Sequence, residues 1–209
     1  MNDSIINQLT SLQRVLNTLG DIERADYWPS AGRQRRETNI EHSYALAMVA
    51  WHIADRLQLD LNHEKILKYA LVHDMPEAYA GDTPLFADPY VKAVQDEREA
   101  AAIRKLSSDF PKSNILQVLT DYYDQQDDEA RFVRAIDNIV ALLVHITSDK
   151  TQFVDNKISP KDIEQILPKW REQTDISPEI TQLTNEVLAA WWNVVKLYNE
   201  NEENIETHE

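Results

Sequence analysis

The chain contains no cysteine, which excludes a disulfide framework, a thiolate metal site and a cysteine nucleophile. Glycine is almost as scarce. Gly20, Gly32 and Gly81 are too few for glycine-rich phosphate loops or a sheet full of tight hairpins, and neither a GxGxxG nor a P-loop pattern occurs. No apolar run approaches the ~20 residues of a membrane span, and the opening MNDSIINQLTSLQRVL lacks a basic start followed by an apolar signal core. Positive charge is also in deficit: 21 Lys and Arg against 36 Asp and Glu leave a net charge of -15, a field that repels long nucleic acids and anionic membranes. These absences lead us to expect a cytoplasmic protein acting on something small. Its 209 residues suffice to bury a core without crosslinks, which suggests a single domain over 1–198 and an acidic, disordered tail over 199–209.

What is present points to helices. Ala45, Leu46, Val49, Ala50, Ile53, Ala54 and Leu57 recur at helical spacing and form one apolar face. The fold class expected is all-α, with helices near 4–19, 41–58, 63–74, 76–80, 89–108, 112–124, 128–148, 160–167 and 178–199. Pro29 and Gly32 mark a first loop, Gly81-Asp82-Thr83-Pro84 a sharp turn, and Ser159-Pro160 and Ser177-Pro178 capped helix starts. Between positions 24 and 36 the chain carries Arg24, Arg33, Arg35 and Arg36, a basic island in an acidic protein that could hold a small anion.

Four side chains in this pattern carry chemistry. His42 begins a helix whose same-face neighbours are Ala45, Leu46 and Val49, so its imidazole is expected to lean inward. His73 and Asp74 end another helix, because Met75 precedes Pro76 and is pushed out of the α region. Asp137 lies among Val133, Val140, Ala141 and Val144 with Arg134 the one charged neighbour, and a buried carboxylate there needs neutralising by Arg134 or by a cation. With no thiolate available, His42, His73, Asp74 and Asp137 make a mixed imidazole and carboxylate set suited to a divalent ion, one of Mn, Co, Fe, Ni, Zn or Mg. Glu77, four residues after His73, is the candidate general acid or base, and Asp82 and Thr83 are placed to orient water or contact a sugar hydroxyl. His52 and His63 are read as helix-surface or capping residues, and His208 as part of the acidic tail. His145 is read as structural, with a possible supporting place near the cleft, and Trp170, Trp191 and Trp192 as packing or a dimer surface.

The segments EHS at 41–43, HDMPE at 73–77, GDTP at 81–84 and RAIDN at 134–138 together resemble the HD-domain metal-dependent phosphohydrolases, and among them the bacterial 5'-deoxynucleotidases. The resemblance runs from about Trp28 to Asp149. It implies an HD-domain helical bundle around a mononuclear metal site held by His42, His73, Asp74 and Asp137, with Glu77 moving the proton. Two-metal relatives need further His ligands between the HD pair and the late Asp, and none occurs between His73 and His145. In the nucleotidase branch an Arg-Trp-Pro segment contacts phosphate and sugar. Here the matching stretch is Tyr27-Trp28-Pro29, so Trp28 is expected to contact substrate while Arg33, Arg35 or Arg36 stands in for the missing arginine. The implied activity is release of phosphate from 5'-deoxynucleoside monophosphates by a homodimer. A small nucleoside triphosphate or alarmone hydrolase with the same metal centre, and a noncatalytic nucleotide-binding adaptor, are the alternatives.

Overall fold

A computed structural model describes residues 4–30, 33–83, 94–111, 113–148 and 160–206. In chain order these form α1 (Ile5–Asp21), β1 (Glu23–Ser30), β2 (Arg33–Thr38), α2 (Asn39–Arg56), α3 (His63–Val72), α4 (Glu77–Ala80), α5 (Gln95–Asp109), α6 (Ile115–Asp124), α7 (Asp128–Thr147), α8 (Pro160–Thr174) and α9 (Pro178–Glu206). The helical expectation holds, apart from the first loop and the ends of the last two helices. The stretch read as a loop around Pro29 and Gly32 is instead a two-stranded sheet, β1 beside β2. These strands lack the alternating apolar pattern that reveals a strand from sequence, and two of their carboxylates, Asp26 and Glu37, are buried. The tertiary pairing of Asp26 with His145 outweighs the weak local preference.

The chain divides into two compact units, one comprising 1–24 and 37–130, the other 25–36 and 131–209. In the first, α2 starts with a capping box. The Thr38 hydroxyl accepts from the Glu41 N–H at 3.4 Å and the Glu41 carboxylate accepts from the Thr38 N–H at 3.0 Å, satisfying two helix-end groups reciprocally. The apolar face foreseen on α2 is buried at Leu46, Ala50 and Ala54 and half-buried at Ala45, Val49 and Ile53. A core cluster of Val15, Leu19, Val72, Met75, Leu106, Phe110 and Leu119 joins α1, α3, α5 and α6. α3 stops at Val72, followed by a tight turn through His73 to Pro76, as the proline requires.

In the second unit α8 passes through Pro168, where the sequence placed its end. Pro168 lies on the exposed side, so the helix forfeits one backbone bond there, while Ile163, Trp170 and Thr174 on the opposite face are buried and hold it. α9 continues to Glu206 beyond the stop expected near 199, since residues 200–206 contain neither proline nor glycine. Trp191 is fully buried with its ring 5.9 Å from that of Trp170, and both pack as anticipated. Its indole N–H donates to His145 Nδ1 at 2.9 Å, which leaves the proton of a neutral His145 on Nε2, 2.5 Å from Asp26 Oδ1. His145 thus closes a buried chain joining α9, α7 and β1, in keeping with its structural reading. Among the described residues no helix is long and apolar enough to cross a membrane.

Candidate metal centre

The first unit gathers His42, His73, Asp74 and Glu77. The capping box sets the start of α2 so that His42, in its first turn, points inward with no exposed surface. His73 caps the end of α3 and is 4% exposed. Their rings lie 5.4 Å apart between centroids, and one nitrogen of each falls within 4.8 Å of the other.

Each imidazole has a distinct back and front. His73 Nδ1 is 2.9 Å from the Ala70 carbonyl and donates to it, which turns Nε2 toward Asp74. That Nε2 sits 3.0 Å from Asp74 Oδ2. Two ligands at ~2.1 Å from one ion and at right angles to each other are ~3.0 Å apart, so this nitrogen and oxygen have the spacing of adjacent positions in a single coordination shell. The donor set therefore fits a divalent cation. Asp74 also accepts a hydrogen bond from Arg24 Nη1 at 2.9 Å. Burial works against its charge, yet His73, Arg24 and His42 together hold its carboxyl well below the ordinary range.

Glu77 opens α4, one turn beyond the His-Asp pair, and accepts a hydrogen bond from the buried Asn39 amide. Burial, reinforced by the negative charges of Asp74 and Asp82, pushes its carboxyl up to about 9. It therefore holds a proton at neutral pH while Asp74, three residues away, stays ionised. Two carboxyl groups driven apart in this way differ in what they can do, one donating a proton and the other staying an anion. Gly81 closes α4 at φ 75, a conformation that favours glycine, and half-buried Asp82 and Thr83 follow it.

The remaining residues singled out from the sequence are distributed as follows. Asp137 stands on α7, half-buried, with Val133, Ile136 and Val140 buried about it. On the hairpin, Arg35 lies 5.6 Å from the centre of the Trp28 ring. Arg36 is 4.2 Å over Tyr27 and donates to the Ala25 carbonyl. The side chain of Arg33 falls outside the described residues. Sequence reasoning missed Arg24, Glu37 and Asn39 as members of the site. Arg24 had been counted only as part of the basic island, and the Thr38-to-Glu41 capping pattern, which fixes where Glu37, Asn39 and His42 stand, is visible in the sequence.

The chain is similar to several known proteins. The chain is 27% identical over 184 residues to human 5'-deoxynucleotidase HDDC2, a match spanning 86% of this chain and 85% of that one. It is 28% identical over 134 residues to the 5'-deoxynucleotidase YfbR of Escherichia coli O1:K1, covering 60% of this chain and 67% of the relative. A structure from Magnetospirillum magnetotacticum, described as a predicted metal-dependent phosphohydrolase, shares the fold with a TM-score of 0.71 at 19% identity, over 90% of this chain and 94% of that one. The family model of the HD domain matches residues 17–180, and with the His73-Asp74 pair at the heart of that span, the chain belongs to the HD domain family.

Proposed function

We propose that the protein is a metal-dependent phosphohydrolase that releases orthophosphate from nucleotides, with 5'-deoxynucleoside monophosphates as its substrates. The observation that carries the reading is the 3.0 Å approach of His73 Nε2 to Asp74 Oδ2 beside a Glu77 that keeps its proton. The relatives named 5'-deoxynucleotidases supply the substrate class.

His42, His73, Asp74 and Asp137 are the residues assigned to hold one divalent ion. When bound, such an ion polarises a phosphoryl oxygen and lowers the pKa of water. The protein's own groups do the rest. Asp74 stays ionised, His73 presents Nε2 because Ala70 occupies its other nitrogen, and Glu77 offers a proton to the departing sugar oxygen and takes one from water in return. Arg24 brings a guanidinium against Asp74, a positive charge suited to phosphate and a further candidate for the role of the arginine absent at position 27. Asp82 and Thr83 are assigned to orienting water and a sugar hydroxyl. Trp28, Arg33, Arg35 and Arg36 are assigned to base and phosphate contacts.

We assign the protein to the cytoplasm and to a homodimeric state. The dimer is supported by an apolar stripe at helical spacing on α2, Ile40, Tyr44, Met48 and Trp51, exposed by 39%, 65%, 44% and 46%. Sedimentation of the parent chain and of Trp51→Glu tests it. A parent that sediments as a monomer refutes the dimer, and a variant that stays dimeric moves the interface elsewhere.

The deciding experiment is product analysis after incubation of the metal-stripped protein with nucleoside mono-, di- and triphosphates and Mn, Co or Mg. Orthophosphate from deoxynucleoside monophosphates, abolished by chelator, is the expected result. Tripolyphosphate from triphosphates would replace the monoester reading, and turnover that survives complete metal removal would overturn it.

A further inference from the structure

Glu37 is fully buried, and neither of its carboxylate oxygens has a hydrogen bond of ordinary length among the described residues. Two donors face its Oε2: Arg24 Nε at 3.6 Å and His42 Nδ1 at 3.5 Å. An ionised carboxylate taken wholly out of water is costly unless its charge is used, and a hydrophobic residue would pack the same volume more favourably. The place of Glu37 in the chain suggests the use. It is the penultimate residue of β2 and stands immediately before the Thr38 cap, while His42 lies just inside the helix that the cap begins. The strand end, the cap and the first turn of α2 therefore form one continuous junction. Asn39, in the middle of it, already donates to Glu77. The junction thus reaches two groups of the site from behind.

The comparison with His73 sharpens this. A metal-binding imidazole must offer one nitrogen with its lone pair free, and a protein secures that by giving the other N–H an acceptor. For His73 the acceptor is the Ala70 carbonyl. Ala70 is among the last residues of α3, whose carbonyls have no N–H of the helix to accept from, whereas the carbonyls behind His42, at the start of α2, are the ones that receive the helix's own N–H groups. A side-chain acceptor is needed, and Glu37 is on the Nδ1 side of the ring.

We propose that Glu37 is a positioning residue. It holds the His42 proton on Nδ1 and so presents Nε2 to the divalent ion, while Arg24 offsets its charge. The inference rests on the metal reading above and is testable separately from turnover.

Two variants of the full-length, metal-stripped protein distinguish the roles. Glu37→Gln keeps an acceptor oxygen, whereas Glu37→Met fills similar volume with none. In 15N-detected imidazole spectra without metal, His42 should be the Nδ1–H tautomer in the parent and in Glu37→Gln, and a mixture in Glu37→Met. Calorimetric titration with Mn or Co should show Glu37→Met weakened by about 10–100-fold, the usual consequence of losing such a support, with Glu37→Gln close to the parent. An unchanged tautomer and affinity in Glu37→Met would overturn the proposal. So would equal weakening of the two variants with native circular dichroism, because packing or charge would then be responsible. A parent chain that binds no divalent ion would instead overturn the metal reading itself.

Discussion

Replacing Glu77 by Gln in the metal-free protein tests the electrostatics of the site without any need for a substrate. The Glu77 carboxyl is raised from 4.5 to about 9, first by burial and then by the charges of Asp74 and Asp82. The folded state therefore binds a proton at this site that the unfolded chain has already released, and stability falls as pH rises through the interval. The stabilising contribution of Glu77 protonation is complete below about 4.5 and gone above about 9. Each pH unit between those limits is worth ~1.4 kcal/mol, so at neutral pH about 3 kcal/mol has been lost relative to acid conditions. Glutamine has no proton to lose and can still accept from Asn39, so Glu77→Gln should be free of this slope. Urea denaturation of both proteins in chelator, at intervals from about pH 5 to about pH 8, should show Glu77→Gln gaining on the parent by ~1.4 kcal/mol per unit. Stability curves that run parallel across that range would refute the assignment of a protonated, buried Glu77. The same variant should lose phosphate release, separating the chemical role of the carboxyl from its effect on folding.

Asp137→Ala should reduce phosphate release to background while leaving the helical circular dichroism in place, and parental turnover in that variant would remove Asp137 from the ligand set. Arg24→Met takes the guanidinium away from both Asp74 and Glu37 and should lower stability by about 3 kcal/mol in denaturant titration at neutral pH, as expected for breaking a largely buried ion pair. Because Asp74 is held below its ordinary range, the stability it contributes is present above that range and is lost as pH falls through its folded value. Arg24→Met should therefore also narrow the difference between neutral and acid stability. Trp191→Phe keeps the aromatic packing but leaves His145 Nδ1 without the indole donor, and should cost about 1–3 kcal/mol in the same measurement. An unchanged midpoint would mean that the His145 chain contributes nothing to the fold.

The residues of this site were legible in the sequence to the extent that their placement is local. An inward His42 follows from the apolar spacing after it, the helix break at His73 from Pro76, and the turn at Gly81 from a residue type that tolerates positive φ. The helical character of the protein is of the same kind, since apolar periodicity and the lack of glycine act within a few residues of chain. The strands at 23–30 and 33–38 are different. Their polar side chains give no alternating pattern, and the pairings of Asp26 with His145 and of His145 with Trp191 span 119 and 46 residues. Arg24 likewise meets Asp74 across 50 residues and Asn39 meets Glu77 across 38.

Sequence by itself therefore determined the helices, their main breaks and which side chains had the chemistry to hold a cation. Tertiary structure decided which nitrogen of His73 faces Asp74, which carboxyl keeps its proton and where the Arg24 charge goes. Those properties depend on burial and on neighbours brought together from distant parts of the chain, and no local pattern encodes them.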